Sequence, residues 1–449
     1  YKKLVIKEYA MIYRPEIDGL RAVAVIPVIL FHAGFSFFSG GFVGVDVFFV
    51  ISGYLITTII HQEIIQGRFS ILGFYERRAR RILPALFVVT LVCIPFAWLW
   101  MIPSEFKNFS QSVVSVATFT SNILFWRESG YFAEAAELKP LLHTWSLAVE
   151  EQFYILYPPL LLAIYHFAQK RFFVIISLGV LASLGLAHWA SPAHPSANFY
   201  LLPSRGWELG IGALVALYLH YAGAQGGKQV SVSAYPRALR EVAGLLGLVL
   251  IIYAVFVFDG STPFPSLWTL IPVFGTALII LTADRESLVG RLLSTQLLVS
   301  LGLISYSAYL WHQMLFAFAR IRLFGDVSPW VYWVLIIFTF VLARLTWMTI
   351  EVPARKRFKM TRFRILSGAA AGCLVIGSIG VGGHLTQGIT INNKSVAALS
   401  QWKVNISPKR SECHARDNSP IAPNDACVFG GEVSAERGDI YVWGDSHGV

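Results

Sequence analysis

The fold of this chain is decided by its apolar stretches, the clearest of which reads GFVGVDVFFVISGYLITTII over residues 41–60. It carries one charged side chain, Asp46, and has about the 20 residues that a helix needs to cross the hydrocarbon core of a bilayer. Its glycines and its serine are small residues that let a neighbouring helix pack closely. The stretch therefore predicts a closely packed membrane-spanning helix with an ionisable group inside the bilayer.

The composition of the whole chain supports the same class. Of the 449 residues, 14% are charged, against roughly 25% in ordinary globular domains. Hydrophobic residues reach 55%, and the mean hydropathy is +0.60. A soluble protein could not bury so much apolar surface, and a disordered chain would not carry it.

Ten more apolar stretches accompany residues 41–60, which predicts an all-α polytopic membrane protein with about ten helices and one linking transmembrane helix. A weaker, amphipathic stretch at 106–126 is predicted to be interfacial or re-entrant. The ten further stretches are 17–38, 82–101, 145–166, 172–190, 204–221, 241–258, 266–283, 298–319, 330–350 and 365–385.

The basic residues fall mainly in alternate loops. With the N-terminus inside, about 22 Lys and Arg lie in inside segments and 5 lie in outside loops. This bias is the positive-inside pattern, so the formal charge of +10 indicates membrane topology and no nucleic-acid partner. Eleven spans then place the tail from about Gly388 outside. The first apolar segment carries Arg21 and is interpreted as an anchor, with no cleavable signal peptide.

Charged groups at membrane depth are costly and usually functional. Arg21 and His32 are eleven residues apart, so they share one face of the first helix at a separation of roughly 16 Å. Asp46 is expected at the depth of His32, where a carboxylate would orient the imidazole for acid–base catalysis. The alternative is that each group is satisfied independently by neighbours or water.

Other ionisable residues are sorted by the same depth argument. Glu150 and Glu151 enter from the outside and point about 100° apart, so only one of them is expected to face His32. Arg205 and Glu208 are spaced i, i+3, which predicts a local ion pair. His312 lies in the outer half of its span, where a core histidine bonded to a neighbour is the alternative to a functional role.

Arginines dominate the predicted inner side. Arg suits a phosphorylated donor because it binds phosphate in a bidentate manner, although topology control explains the cluster Arg77, Arg78, Arg80 and Arg81 equally well. The inner-side residues are Arg21, Arg77, Arg78, Arg80, Arg81, Arg344, Glu351 and Arg355.

The tail differs from the rest of the chain. Cys413 and Cys427 are close enough for a disulfide in an oxidising compartment, with two free thiols as the alternative. Residues 440–443, IYVW, predict a buried strand, and GDSHG at 444–448 follows as a turn that would expose Ser446 as a nucleophile. The tail is therefore predicted to begin an α/β domain.

Several motifs occur in order along the chain: Arg21 with His32, the glycine-rich 41–53, Arg77-Arg78-x-x-Arg81, HTWSLAVEEQFY at 143–154, SAYLWH at 307–312 and EVPAR at 351–355. Together they resemble the acyltransferase-3 family of integral membrane proteins over roughly residues 12–360. The tail is similar to the start of an SGNH-type domain, so the expected division is a transmembrane domain at 1–360, a linking helix at 361–387, and a linker with an SGNH fragment at 388–449.

The resemblance implies a bacterial inner-membrane enzyme that moves an acetyl group from cytosolic acetyl-CoA to a sugar hydroxyl outside, with no metal. Its partners would be membrane lipid and an undecaprenyl-linked or surface glycan. Lipopolysaccharide O-antigen is the expected acceptor, with peptidoglycan or exopolysaccharide as alternatives. A secondary transporter or flippase, or a scaffold, are alternatives of other classes.

The implied roles follow the motifs. His32 would be catalytic with Arg21 assisting, and Ser446 would be the nucleophile of the SGNH part. The depth argument adds Asp46 and Glu150 as catalytic candidates. The donor would be held by four arginines, and seven further residues are substrate-binding or structural candidates. The donor group is Arg77, Arg78, Arg81 and Arg355; the candidates are Trp145, Glu151, Tyr154, Arg205, Glu208, His312 and Glu351.

Overall fold

The computed structural model describes residues 13–129, 136–168, 171–224, 235–323, 327–356 and 361–388. Within these ranges every regular element is a helix, which confirms the predicted helical class. The predicted strand at 440–443, Ser446, Cys413 and Cys427 lie outside the described residues, and the domain boundaries at 360 and 387 stay predictions.

The first helix, α1 (Pro15–His32), begins with proline at a position where its missing N–H costs nothing, and carries Glu16 and Asp18 in its first turn, where acids favour the helix dipole. It ends at His32, short of the predicted 38. The reason is Gly34, whose φ of 81° lets the Phe35 N–H return to the Leu30 carbonyl and close the helix end.

The remaining helices continue the bundle. Short 3₁₀ turns at Ser36–Phe38, Gly41–Val43, Ala136–Leu138 and Leu267–Thr269 precede several of them. The other helices, in chain order, are α2 (Gly44–Ile65), α3 (Ile71–Trp100), α4 (Pro103–Ala117), α5 (Ser121–Glu128), α6 (Thr144–Ala168), α7 (Phe172–Ala193), α8 (Pro195–Tyr200), α9 (Leu202–Ala224), α10 (Arg237–Val257), α11 (Leu270–Thr282), α12 (Leu288–Leu293), α13 (Gln296–Leu303), α14 (Ser305–Leu323), α15 (Pro329–Thr346), a π-helical turn (Trp347–Glu351), α16 (Val352–Arg355) and α17 (Arg362–Leu385).

Seven helices of the described residues are long and apolar enough to cross a membrane. Eleven were predicted, and the difference has local causes. Helix α1 carries Glu16, Asp18 and Arg21 within 18 residues, and the predicted span 266–283 contains a shorter apolar helix, Leu267–Thr282. The seven are Gly41–Ile65, Ile71–Trp100, Thr144–Ala168, Phe172–Ala193, Arg237–Val257, Pro329–Arg355 and Arg362–Leu385.

Two stretches that were each predicted as one segment are divided in the structure. The predicted span 298–319 breaks at Ile304, whose φ of −96° and ψ of 2° end α13 before α14 begins. The amphipathic 106–126 covers most of α4 and α5, which are separated where Phe119 adopts a φ of 54°. Both breaks depend on a single backbone conformation, which apolar periodicity does not reveal.

The glycine-rich part of the quoted stretch makes close helix contacts, as predicted. A Cβ on Gly44 would lie 2.2 Å from the Ala24 carbonyl oxygen of α1, and one on Gly53 would lie 1.9 Å from the Leu209 oxygen of α9. Helix α2 is therefore packed between α1 and α9 at backbone distance. This brings the ionisable residues of the three helices into one central region.

Candidate active site

A cavity of about 420 Å³ opens between α1, α2, α3, α6 and α14. We call it the arginine cavity. Four guanidinium groups line it, together with carboxylate, phenol and hydroxyl groups. Its polar lining includes Arg14, Arg21, Arg78, Arg81, Ser52, Glu150, Tyr154, Ser146 and Tyr309.

The four arginines differ in how far the protein itself satisfies them. Arg14 is tied to Glu16, Tyr54 and the carbonyl oxygens of Ile280 and Ala283. Its guanidinium therefore holds helices together and has little capacity left for a ligand.

The other three guanidinium groups have donors to spare. Arg21 donates to Asp18 at 2.8 Å, and Arg78 lies over the Tyr154 ring at 5.4 Å. Neither Arg78 nor Arg81 forms a side-chain hydrogen bond or ion pair within the parts of the chain that the structure describes. Arg21, Arg78 and Arg81 are thus the groups available to an anionic ligand.

The remaining predicted donor-binding arginines lie elsewhere. Arg77 is paired with Glu63 at 2.8 Å, and Arg355 with Glu351; neither lines the arginine cavity. Glu351 also accepts a hydrogen bond from Ser307. The structure thus separates Arg77 from Arg78, whose directions differ by about 100° on one helix, and Arg355 lies on another helix, α16.

The two adjacent glutamates also occupy different surroundings. Glu150 faces the arginine cavity, where its carboxylate accepts hydrogen bonds from Ser52 and Tyr154. Glu151 is buried, and its Oε1 has no hydrogen-bond partner within the described residues. Neither lines the cavity that contains His32, so the expectation that one of them faces His32 is wrong. Helix α6 turns Glu150 toward α2 and α3 instead.

A second cavity, of about 480 Å³, contains His32 and is called the histidine cavity. His143 and Arg205 are its other nitrogen-bearing polar groups of note, and aromatic rings form most of its wall. The aromatic lining residues are Phe31, Phe35, Phe42, Trp145, Phe199, Tyr200, Phe264 and Tyr309.

The backbone orients the His32 ring. Its Nδ1 lies 2.9 Å from the Val28 carbonyl oxygen, and a carbonyl can only accept, so Nδ1 carries the proton of the neutral ring. The lone pair is then on Nε2, which is the nitrogen able to take a proton. A helix-internal carbonyl therefore fills the orienting role that Asp46 was predicted to have.

Three imidazoles gather at this end of the bundle. The His312 ring lies 5.1 Å from that of His32 and 5.5 Å from that of His143, centroid to centroid. The Nδ1 of His312 donates to the Tyr309 carbonyl at 2.7 Å, and its Nε2 has no partner in the described parts of the chain. The structure thus brings His312 to His32, which depth arithmetic alone left open.

Asp46 belongs to a separate ionic cluster. Its carboxylate lies 3.2 Å from Arg205 Nη1, and the Glu208 carboxylate lies 3.0 Å from the same nitrogen. The predicted Arg205–Glu208 pair is confirmed. The prediction that Asp46 orients His32 is wrong, because the close packing of α2 against α9 places the carboxylate beside the Arg205 guanidinium.

The Arg205 guanidinium is fully enclosed. It lies 5.4–5.7 Å from the ring centroids of Phe49, Trp145, Phe199 and Phe264, which is cation–π distance. Trp145 is therefore part of the wall that holds this cation, and the cluster supports one side of the histidine cavity.

Tyr309 lines both cavities. Its hydroxyl donates to the His143 carbonyl oxygen at 2.9 Å and lies 2.7 Å from the Ser146 hydroxyl. Sequence reasoning singled out none of Tyr309, Ser146 and His143, although all three stand inside the quoted motifs. The available signal was that each is a polar residue within three positions of a selected aromatic or histidine residue.

Within the described residues, no group of three or more His, Cys, Asp or Glu side chains could hold a metal ion. Cys93 is buried and free, as expected for a packing residue, and Cys373 is half-buried and free.

A bundle of apolar, membrane-length helices that encloses two cavities with ionisable side chains is typical of an integral membrane enzyme. The chain belongs to the acyltransferase-3 family, because residues 14–348 match the family described as "Acyltransferase domain".

Two relatives are similar along most of the chain. It is 30% identical over 373 residues to "Peptidoglycan O-acetyltransferase OatA" of Listeria monocytogenes, covering 79% of this chain and 58% of that protein. It is 30% identical over 368 residues to "O-acetyltransferase OatA" of Staphylococcus aureus, covering 80% and 60%. The chain thus spans about three fifths of the length of these relatives. No solved structure matches it.

Proposed function

We propose that this chain is a membrane O-acetyltransferase that takes an acetyl group from acetyl-CoA and passes it to a hydroxyl acceptor. The observation that carries the proposal is that Tyr309 lines both the arginine cavity and the histidine cavity, so the two cavities adjoin there. One chamber suits a phosphorylated donor and the other suits proton transfer. Family membership and the names of the relatives support the same reaction.

The donor side rests on three guanidinium groups. Arg21, Arg78 and Arg81 face one cavity whose volume is within the range of ligand pockets. Guanidinium pairs with phosphate through charge-assisted, often bidentate hydrogen bonds, and coenzyme A carries phosphate. The thioester end of the donor would extend from these arginines toward Tyr309.

The chemical step uses the free lone pair of His32. The acceptor hydroxyl gives its proton to Nε2 as its oxygen bonds to the acetyl carbonyl carbon. The carbon–sulfur bond breaks, the electron pair leaves with the sulfur of coenzyme A, and the proton returns from the imidazolium to that thiolate.

Arg320 donates to the His32 carbonyl oxygen and so helps to hold the end of α1.

For the final acceptor we propose a sugar hydroxyl of peptidoglycan. The family resemblance implied lipopolysaccharide O-antigen, with peptidoglycan as an alternative. The Listeria relative is named for peptidoglycan, so peptidoglycan is the better supported acceptor of the two. Ser446 would carry the acetyl group between the membrane domain and the glycan.

The proposed setting is the bacterial cytoplasmic membrane, with the arginine cavity toward the cytosol. The described contacts agree with the predicted grouping of helix ends, on which this orientation depends. Arg362 at the start of α17 lies 3.3 Å from Glu76 near the start of α3, whereas Gln387 after its end accepts from Lys107 of α4. Residues predicted inside thus meet one another at one end of the bundle, and residues predicted outside meet at the other.

The test is acetyl transfer by the purified full chain in lipid nanodiscs, with acetyl-CoA and solubilised peptidoglycan fragments. Coenzyme A release and acetyl-glycan formation are both measured, by thiol titration and mass spectrometry. His32→Ala is expected to lower transfer by about 10²–10⁴-fold, the usual contribution of general acid–base catalysis, while acetyl-CoA binding persists. Acetyl transfer by His32→Ala at the wild-type rate would overturn the assignment. If neither the wild type nor the variant binds acetyl-CoA, a transporter would be favoured.

A further inference from the structure

We infer that His143 is a catalytic residue of the histidine cavity, where it contacts the acceptor and holds its hydroxyl group against His32. The inference rests on the proposed function and adds a substrate contact to it. It begins from a buried imidazole whose polar atoms the protein leaves unused.

The backbone fixes the position of His143. It lies just before α6, and its carbonyl oxygen accepts the Tyr309 hydroxyl at 2.9 Å and the Ser146 hydroxyl at 3.3 Å. The residue is 2% exposed and lines the histidine cavity. Because these two hydrogen bonds fix the His143 main chain, its ring stays in the wall of the histidine cavity.

Both ring nitrogens of His143 lack a hydrogen-bond partner within the parts of the chain that the structure describes. Buried polar groups in native proteins are nearly always paired, and each exception calls for an explanation. A neutral imidazole offers one donor and one acceptor whichever tautomer it adopts. An imidazole in a cavity wall with both groups free is equipped to bind a polar ligand group.

In the other two histidines of the cluster, one ring nitrogen already forms a hydrogen bond within the protein. His32 and His312 each use Nδ1 on a backbone carbonyl, which leaves each neutral ring an acceptor at Nε2. His143 can therefore supply the N–H donor that these two rings lack. Its ring and that of His32 both contact the His312 ring, so all three belong to one cluster.

The chemistry of these groups identifies the ligand class. A hydroxyl group that gives its proton to His32 Nε2 retains an oxygen lone pair, which the His143 N–H can engage. Neutral imidazoles and aromatic rings suit a neutral alcohol. The Arg205 guanidinium also lines this cavity, but the carboxylates of Asp46 and Glu208 balance its charge. The acceptor at this position is thus an uncharged hydroxyl, such as that of a sugar or a serine.

The test compares acetyl transfer by the nanodisc-embedded full chain and its variants, with acetyl-CoA and solubilised peptidoglycan fragments. His143→Ala is expected to lower kcat/KM for the acceptor at least tenfold and to leave acetyl-CoA binding unchanged within twofold. His143→Gln, which keeps an N–H donor, is expected to retain activity within about threefold of the wild type. The matched control is His166→Gln on α6, an exposed residue, which should behave as the wild type.

Imidazole rescue separates a substrate contact from a packing role. Added imidazole can enter the space left in the cavity wall by His143→Ala and should restore at least part of the lost kcat/KM. Unchanged kinetics in His143→Ala, or a loss that neither glutamine nor imidazole relieves, would refute the inference. Absence of acetyl transfer by the wild-type chain would instead count against the proposed function.

Discussion

The Tyr309 hydroxyl lies 2.7 Å from the Ser146 hydroxyl, at the boundary between the arginine cavity and the histidine cavity. The same phenol donates to the His143 carbonyl oxygen. One side chain thus joins α14 to the start of α6 where the two cavities adjoin. The acetyl route proposed above runs along this contact.

Tyr309→Phe is therefore expected to slow acetyl transfer about tenfold, because the ring stays while both hydrogen bonds are lost, each worth about 0.5–1.5 kcal/mol. Acetyl-CoA affinity should remain within twofold, since the arginines are untouched. Steady-state transfer kinetics and calorimetric binding check the two quantities. Tyr253→Phe, at an exposed position on α10, is the control. A fall in donor affinity that matches the fall in rate would contradict this role of Tyr309.

The neighbouring arginines Arg77 and Arg78 provide a matched pair for the donor site. Arg78→Ala should weaken acetyl-CoA binding at least tenfold, because hydrogen bonds to charged groups contribute about 1.5–3 kcal/mol. Arg77→Ala removes a partly exposed ion pair with Glu63, which is worth about 0–1 kcal/mol, and should leave binding within twofold. Titration calorimetry with acetyl-CoA measures both. Equal losses in the two variants would show that the charge of this helix end, rather than the cavity, governs affinity.

Removing the central cation should destabilise the bundle. In Arg205→Met, the buried carboxylates of Asp46 and Glu208 lose their counter-ion, a change that typically costs about 3–5 kcal/mol. The expected result is a lower Tm in detergent and a lower yield of folded protein, measured by thermal unfolding.

A compensated variant controls for the loss of side-chain shape. Arg205→Met combined with Asp46→Asn and Glu208→Gln removes the uncompensated charges and should recover part of the lost Tm. If the triple variant is no more stable than Arg205→Met alone, the loss comes from packing against the four aromatic rings and not from charge.

Close packing of α2 on α9 predicts a steric effect. In Gly53→Ala, the new Cβ would lie 1.9 Å from the Leu209 carbonyl oxygen, so the helices must separate at a cost of about 1–3 kcal/mol. Thermal unfolding should show a clear drop in Tm. Gly179→Ala on α7, where a Cβ would meet nothing within 4 Å, should not lower it. A Tm for Gly53→Ala at or above that of Gly179→Ala would be inconsistent with this contact.

Local information was sufficient for part of this protein. Apolar length and composition predicted a helical membrane bundle, and the i, i+3 spacing predicted the Arg205–Glu208 pair, because both depend on the repeat of one helix. The small residues of the quoted stretch likewise predicted close contacts. Breaks at Gly34 and Ile304 were missed because they follow from backbone conformation at single positions.

Tertiary packing decided the site. Arg77, Arg78 and Arg81 share one short stretch, yet Arg78 and Arg81 face the arginine cavity and Arg77 pairs with Glu63. Asp46 meets α9 instead of His32 for the same reason. Sequence spacing determines the angle between side chains on one helix, whereas the neighbouring helices determine which of those directions opens into a cavity.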